Sequence, residues 1–150
     1  MTPTRIAAVQ MVSGPDIAQN LRDADALVAE AAARGAKLVA LPEYFPLISG
    51  DETDKVRARE KEGAGPLQDF LRETALRHKV WLVGGSIPLE ASAPDKVRNS
   101  CLVFDDAGRR VARYDKIHLF GFQRGTEQYN ESRTIEAGGE IVVFDSPVGR

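Results

Sequence analysis

The apolar positions of this chain change their spacing along its length, and each change marks an element. Residues 5–11 form a short, nearly unbroken apolar run ahead of Ser13, Gly14 and Pro15, which predicts a buried β-strand. Ile17, Leu21, Ala24, Val28 and Ala31 then recur at intervals of four and three, the signature of one helix face over residues 16–34. Gly35 suits the left-handed position that ends such a helix. Residues 37–41 are a second apolar run, stopped by Pro42. Strand, helix and strand in that order predict a crossover connection and a parallel pair.

Residues 44–54, with Pro46 and Gly50, read as a loop, and the highly charged residues 55–62 as a solvated helix. Gly63-Ala64-Gly65-Pro66 is a turn that puts Pro66 at the first position of a helix. Leu67, Phe70, Leu71, Thr74 and Ala75 form its inner face, to about His78. Residues 80–87 predict a third strand, followed by a loop containing Pro88 and Pro94. Residues 98–104 and 109–114 flank Asp105-Asp106-Ala107-Gly108, which is hairpin chemistry. Residues 117–133 are irregular, residues 141–145 predict a last strand, and residues 147–150 a turn. The order predicts an α/β architecture with mixed parallel and antiparallel pairing. No internal repeat, low-complexity run or linker divides the chain.

Composition narrows the function classes. The 150 residues are 43% hydrophobic and 28% charged, ordinary for a globular domain. Twenty basic against 22 acidic residues give a net charge of -2, with no basic patch. That lacks the positive field of a nucleic-acid binder. No segment approaches the ~20 apolar residues that span a bilayer, and the start of the chain lacks a signal peptide's basic and apolar regions. Cys101 is the only cysteine, so no intramolecular disulfide can form. A cytoplasmic protein, bound to neither nucleic acid nor membrane, is the expectation.

Two residues stand out as candidate chemistry. Glu43 lies just past the second predicted strand, and ligand sites in α/β sheets gather beyond the carboxyl ends of strands. Pro42 restricts its backbone, so a partly desolvated carboxylate there could act as a general base. Lys116 follows the hairpin among Tyr114, Ile117, Leu119 and Phe120. A half-buried ammonium there calls for a carboxylate partner and could stabilise an oxyanion. From position alone, a solvated loop glutamate and a lysine reaching out to water are the commoner cases. Cys101, among apolar and small neighbours within a hairpin strand, reads as a packing residue. His78 and His118 form no cluster with metal-ligand spacing. Gly63 and Gly65 lack the preceding strand of a dinucleotide loop.

The motifs taken together resemble the nitrilase superfamily of carbon–nitrogen hydrolases. The likeness runs through Ala8-Val9-Gln10, the Asn20 helix, Gly35-Ala36-Lys37-Leu38-Val39, and Leu41-Pro42-Glu43. It continues through Gly85 to Pro88, Asn99-Ser100, and Asp115-Lys116-Ile117-His118-Leu119-Phe120. The pattern is most similar to the small amidase branch of omega-amidases and deaminated-glutathione amidases.

The resemblance implies part of a four-layer αββα sandwich with mixed sheets. It implies that residues 1–150 are an incomplete domain, with the C-terminal half and the strand bearing the nucleophilic cysteine absent. It also implies a Glu-Lys-Cys triad that hydrolyses nonpeptide carbon–nitrogen bonds through a thioester. Glu43 would be the base, Lys116 the oxyanion stabiliser and Glu131 a second site glutamate, with Glu127 and Glu136 as competitors. Tyr44 would line the substrate pocket, and His118 would stabilise the loop after Lys116. No cofactor or metal is implied. The expected partners are a small amide substrate and, for the complete protein, further copies of itself. The chain alone is expected to be inactive. The alternative is a noncatalytic ligand-binding module, or an inactive subunit associating with a full-length homologue.

Overall fold

A computed structural model describes residues 4–150; the polar start of the chain, residues 1–3, lies outside the described residues. Three strands, β1 (Arg5–Ala8), β2 (Ala36–Ala40) and β3 (Trp81–Val83), lie side by side and parallel. β5 (Val97–Phe104) runs antiparallel to β3, and β6 (Arg110–Asp115) antiparallel to β5. β4 (Ile87–Glu90) also pairs with β5. A strand has two edges, and β6 occupies one of them. β3 and β4 therefore share the other, as one strand interrupted at residues 84–86.

Helices α1 (Ile17–Ala33) and α3 (Pro66–His78) pack on one face of this sheet. Ala24 and Val28 of α1 and Leu71 and Ala75 of α3 meet Val39, Leu82, Leu102 and Phe104 in one buried cluster. Each large aliphatic side chain fully buried there contributes roughly 1.5–3 kcal/mol. α1 begins where the Asp16 carboxylate accepts the Gln19 N–H at 3.0 Å. α3 begins with Pro66, and the buried carboxylate of Glu60 accepts the Leu67 and Gln68 N–H groups. That anion sits at the positive end of the helix dipole.

The helix–sheet frame follows the apolar periodicity, but several predicted elements differ. β1 is short and mostly exposed rather than buried: Ile6 is 62% exposed, because β1 is an edge strand and no helix covers its outer face. The charged stretch is helical only in α2 (Asp54–Arg57), after which Glu60 bridges to Leu89 and its carboxylate turns inward. The strand predicted over residues 80–87 breaks at Gly84 and Gly85, and Pro88 belongs to β4 instead of a loop. Residues 121–130, read as irregular, form a hairpin of β7 (Gly121–Arg124) and β8 (Glu127–Asn130). Residues 141–145 are not a strand. Ile141 is 87% exposed, and only Phe144 finds a partner ring, stacking on Trp81 with centroids 6.5 Å apart. An apolar run becomes a strand only where a neighbouring edge supplies hydrogen bonds, and none does so for these residues. No helix among the described residues is long and apolar enough to cross a membrane.

Candidate active site

The interrupted strand shapes the loop that carries Glu43. After β2, the Leu41 N–H still bonds the Val83 carbonyl at 2.9 Å, which holds the chain against β3 up to Pro42. Gly85 has φ +55°, and a Cβ there would collide with the Pro42 carbonyl. The close approach therefore requires glycine on both steric and conformational grounds. Next, Tyr44 adopts φ +54°, unfavourable for an aromatic residue, while its N–H donates to Ser86 Oγ at 3.0 Å. Residues 84–86 thus form the mould against which residues 42–44 are set.

Lys116 arrives from the other side of the sheet centre. It follows β6, its N–H donates to the Asn99 carbonyl at 3.0 Å, and its own carbonyl accepts the Gly138 N–H at 2.8 Å. Its Nζ lies 3.0 Å from Glu43 Oε1 and 3.1 Å from Glu131 Oε1. Glu131 opens a 3-10 turn (Glu131–Arg133) directly after β8. Its Oε2 accepts the Phe120 N–H at 2.7 Å and its Oε1 accepts the Tyr44 hydroxyl at 3.3 Å. Asn99 of β5 donates its side-chain N–H to Glu43 Oε1 at 2.8 Å. Glu43, Tyr44, Lys116 and Glu131, far apart in sequence, therefore share one network.

Exposure within the network is graded. The side chains of Glu131, Lys116 and Glu43 are 5%, 23% and 53% exposed. Glu43 is the most exposed of the three, because an open cleft of ≈ 280 Å³ adjoins it. Burial alone would lower the pKa of Lys116, but hydrogen bonds with Glu131 and Glu43 outweigh it and raise the value. Burial would raise Glu131, but the Phe120 N–H, Lys116 and the Tyr44 hydroxyl together hold it below the usual carboxylate range. Burial, reinforced by the charges of Glu131 and Glu43, pushes the Tyr44 phenol far up, so it stays a neutral donor. The trio of two carboxylates and one ammonium carries a net negative charge.

The other candidates separate by geometry. Glu127 lies exposed on β8, and Glu136 pairs with Arg98 and accepts from Ser92. Glu131 is the one of the three that meets Lys116. Cys101 lines the cleft with Glu43 and Lys116, but burial pushes its thiol up to about 11. That is the reverse of an activated nucleophile. His118 is exposed. His78 instead approaches Asp25 at 2.9 Å. No group of three or more His, Cys, Asp or Glu among the described residues could hold a metal ion. A second, smaller recess of ≈ 110 Å³ lies beyond Tyr44, walled by Ile48, Glu52, Lys55 and Tyr129.

Sequence reasoning assigned no part in the site to Asn99 or Ser86. A Gly-Gly-Ser break inside an apolar run was the available signal for Ser86. An asparagine at a core-strand position was the signal for Asn99. Chemically, the arrangement offers a carboxylate oxygen open to the cleft, an ammonium within reach of the same space, and a buried carboxylate that anchors the ammonium. Such a set can take a proton and stabilise a developing oxyanion.

Comparison with known proteins agrees with the fold. The family model for carbon–nitrogen hydrolases matches residues 5–150. The chain is 35% identical to the deaminated glutathione amidase of Yersinia enterocolitica, a match covering 100% of this chain and 53% of that protein. It is also 35% identical to the omega-amidase NIT2 of Homo sapiens, again over 100% of this chain and 53% of the relative. The crystal structure of the C. elegans NitFhit protein superposes with a TM-score of 0.80 at 29% identity, covering 97% of this chain and 36% of that one. The chain spans about half the length of the curated relatives it matches.

Proposed function

This chain belongs to the carbon–nitrogen hydrolase family, and we propose that the protein hydrolyses a small carboxamide to a carboxylate and ammonia. Glu43 is the general base, Lys116 the oxyanion stabiliser and Glu131 the anchor of Lys116. The observation that carries the reading is the position of Lys116 Nζ, 3.0 Å from Glu43 Oε1 and 3.1 Å from Glu131 Oε1. Two of its relatives are named as amidases, which favours an amide over other carbon–nitrogen bonds.

The reaction proceeds as acyl transfer. Glu43 takes the proton of a cysteine thiol, and the thiolate attacks the amide carbon. The oxygen that gains charge lies towards Lys116, which lowers the barrier by a few kcal/mol. The carbon–nitrogen bond breaks, and the leaving nitrogen takes the proton held by Glu43. Glu43 then removes a proton from water, which attacks the thioester and releases the acid and the thiol. Cys101, half-buried within β5 and with its thiol raised by desolvation, is read as a packing residue rather than that thiol. We propose a cysteine outside residues 1–150, so that residues 1–150 alone do not turn over. Tyr44, hydrogen-bonded to Glu131, lines the recess next to the Glu43 cleft and would meet a substrate that extends into it.

The test is ammonia release by the full-length protein across a panel of small carboxamides. Glu43→Gln and Lys116→Met should each lower kcat by at least ~100-fold. Cys101→Ala should leave it within about twofold. Full activity in Glu43→Gln would refute the assignment of the base. Specific binding of an amide with no ammonia released would transfer the site to a noncatalytic binding role.

A further inference from the structure

We propose that Asn99 is a positioning residue that fixes which oxygen of Glu43 stays free to take a proton. The proposal rests on the reading of Glu43 as the base. Asn99 is 4% exposed in the middle of β5, where an apolar or β-branched side chain would pack without polar cost. Its amide is poorly provided for there. One N–H reaches Glu43 Oε1 at 2.8 Å, while Oδ1 is buried with no partner among the described residues. A buried acceptor without a partner costs stability and calls for an explanation. The bond to Glu43 supplies one. The orientation of the amide follows from the same contact, since turning its oxygen to the carboxylate would set two acceptors against each other.

The consequence is an asymmetric carboxylate. Oε1 of Glu43 receives two donors, Asn99 Nδ2 at 2.8 Å and Lys116 Nζ at 3.0 Å. Oε2 receives none among the described residues. Lys116 cannot hold this orientation unaided, because its ammonium is shared with Glu131 and stands on a long, flexible stem. Asn99 has a short side chain with few rotamers. Its main-chain carbonyl also accepts the Lys116 N–H at 3.0 Å, so one residue sets the base through its side chain and the cation through its backbone. The remaining groups around Glu43 are Tyr44, next in the chain, Glu131 beyond the lysine, and Cys101 and Tyr114 across the cleft. Of the two donors to Glu43, Asn99 and Lys116, Asn99 is the uncharged one.

The experiment compares Asn99→Leu and Asn99→Asp with the unaltered full-length protein. Leucine removes the donor and the partnerless acceptor together. Asn99→Leu should therefore melt at or above the parent, while kcat falls roughly 10- to 100-fold and KM stays within about threefold. Asn99→Asp keeps the shape but faces one carboxylate with another, and should lose more activity. A crystal structure of Asn99→Leu should show the Glu43 carboxylate rotated from its Lys116-facing position. Turnover within twofold of the parent in both folded variants would overturn the proposal, as would activity lost only in step with melting temperature. If the parent protein releases no ammonia, the base assignment fails. The Glu43 orientation in Asn99→Leu then decides the positioning claim, and an unmoved carboxylate rejects it.

Discussion

Replacing Glu131 by glutamine tests how much of the site is held by buried charge. In the native protein the Glu131 carboxylate accepts the Phe120 N–H, the Tyr44 hydroxyl and the Lys116 ammonium, at 5% side-chain exposure. Glutamine retains one acceptor for Phe120, but its amide N–H groups must face Lys116 or Tyr44, both of which are donors. Breaking a buried ion pair on one side costs about 3–5 kcal/mol. Lys116 keeps Glu43 as a second partner, so the loss should fall at about 2–3 kcal/mol. For a domain of this size that corresponds to roughly 5–10 °C in melting temperature. The pH dependence has a definite sign. The native pKa of Glu131 is depressed, so its contribution is present above the unfolded value near ~4.3 and is lost as pH falls through the native value. The gap between parent and Glu131→Gln should be widest at neutral pH and should shrink below about pH 4. Thermal melts of the full-length protein from neutral to acid pH measure it. A gap under about 1 kcal/mol at neutral pH, or one that stays constant into acid, would refute the reasoning.

Gly85→Ala should destabilise the protein by about 1–3 kcal/mol, since alanine must adopt φ +55° and push against the Pro42 carbonyl. Chemical denaturation measures this, and an unchanged midpoint would show that the loop has room to relax. Cys101, with its thiol raised to about 11, should alkylate on the order of 100-fold more slowly than a free cysteine at neutral pH. Iodoacetamide labelling followed by mass spectrometry reads that rate, and rapid labelling would contradict the raised thiol. The raised pKa of Lys116 means that its stabilisation is full below ~10.4 and lost as pH rises through the native value. Alkaline melts should therefore show a decline that Lys116→Met lacks.

Much of the fold could be read directly from the chain because burial imposes a period. The α1 stripe from Ile17 to Ala31 and the α3 face from Leu67 to Ala75 each point one way, so their spacing is enough to identify them. The hairpin of β5 and β6 was visible through its aspartate-glycine turn. Residues 141–145 show where this fails: a strand needs a partner edge, and apolar content says nothing of whether one is at hand. The break at Gly84 and Gly85 was hidden for a related reason, since Val80, Trp81, Leu82 and Val83 dominate the pattern around it. At the site, Glu43, Tyr44, Lys116 and Glu131 were named through family motifs; position alone favoured duller roles for Glu43 and Lys116. Their meeting depends on register between β2, β3, β5 and β6, a long-range property that local spacing does not carry. The link from Asn99 to Glu43, 56 residues away, is of the same kind.

The gap between β3 and β4 has a bearing on how this protein can diverge. Gly85 and Ser86 make no side-chain hydrogen bond with Lys116 or Glu131, yet the backbone of Pro42 and Tyr44 is shaped against them. Substitutions there reach the chemistry indirectly, by moving a neighbour's main chain. Ile48 and Glu52, on the wall beyond Tyr44, are not part of that mould. Residues facing the recess can vary without moving the backbone that carries Glu43, whereas residues 84–86 cannot, so a silent-looking tripeptide is the less negotiable of the two.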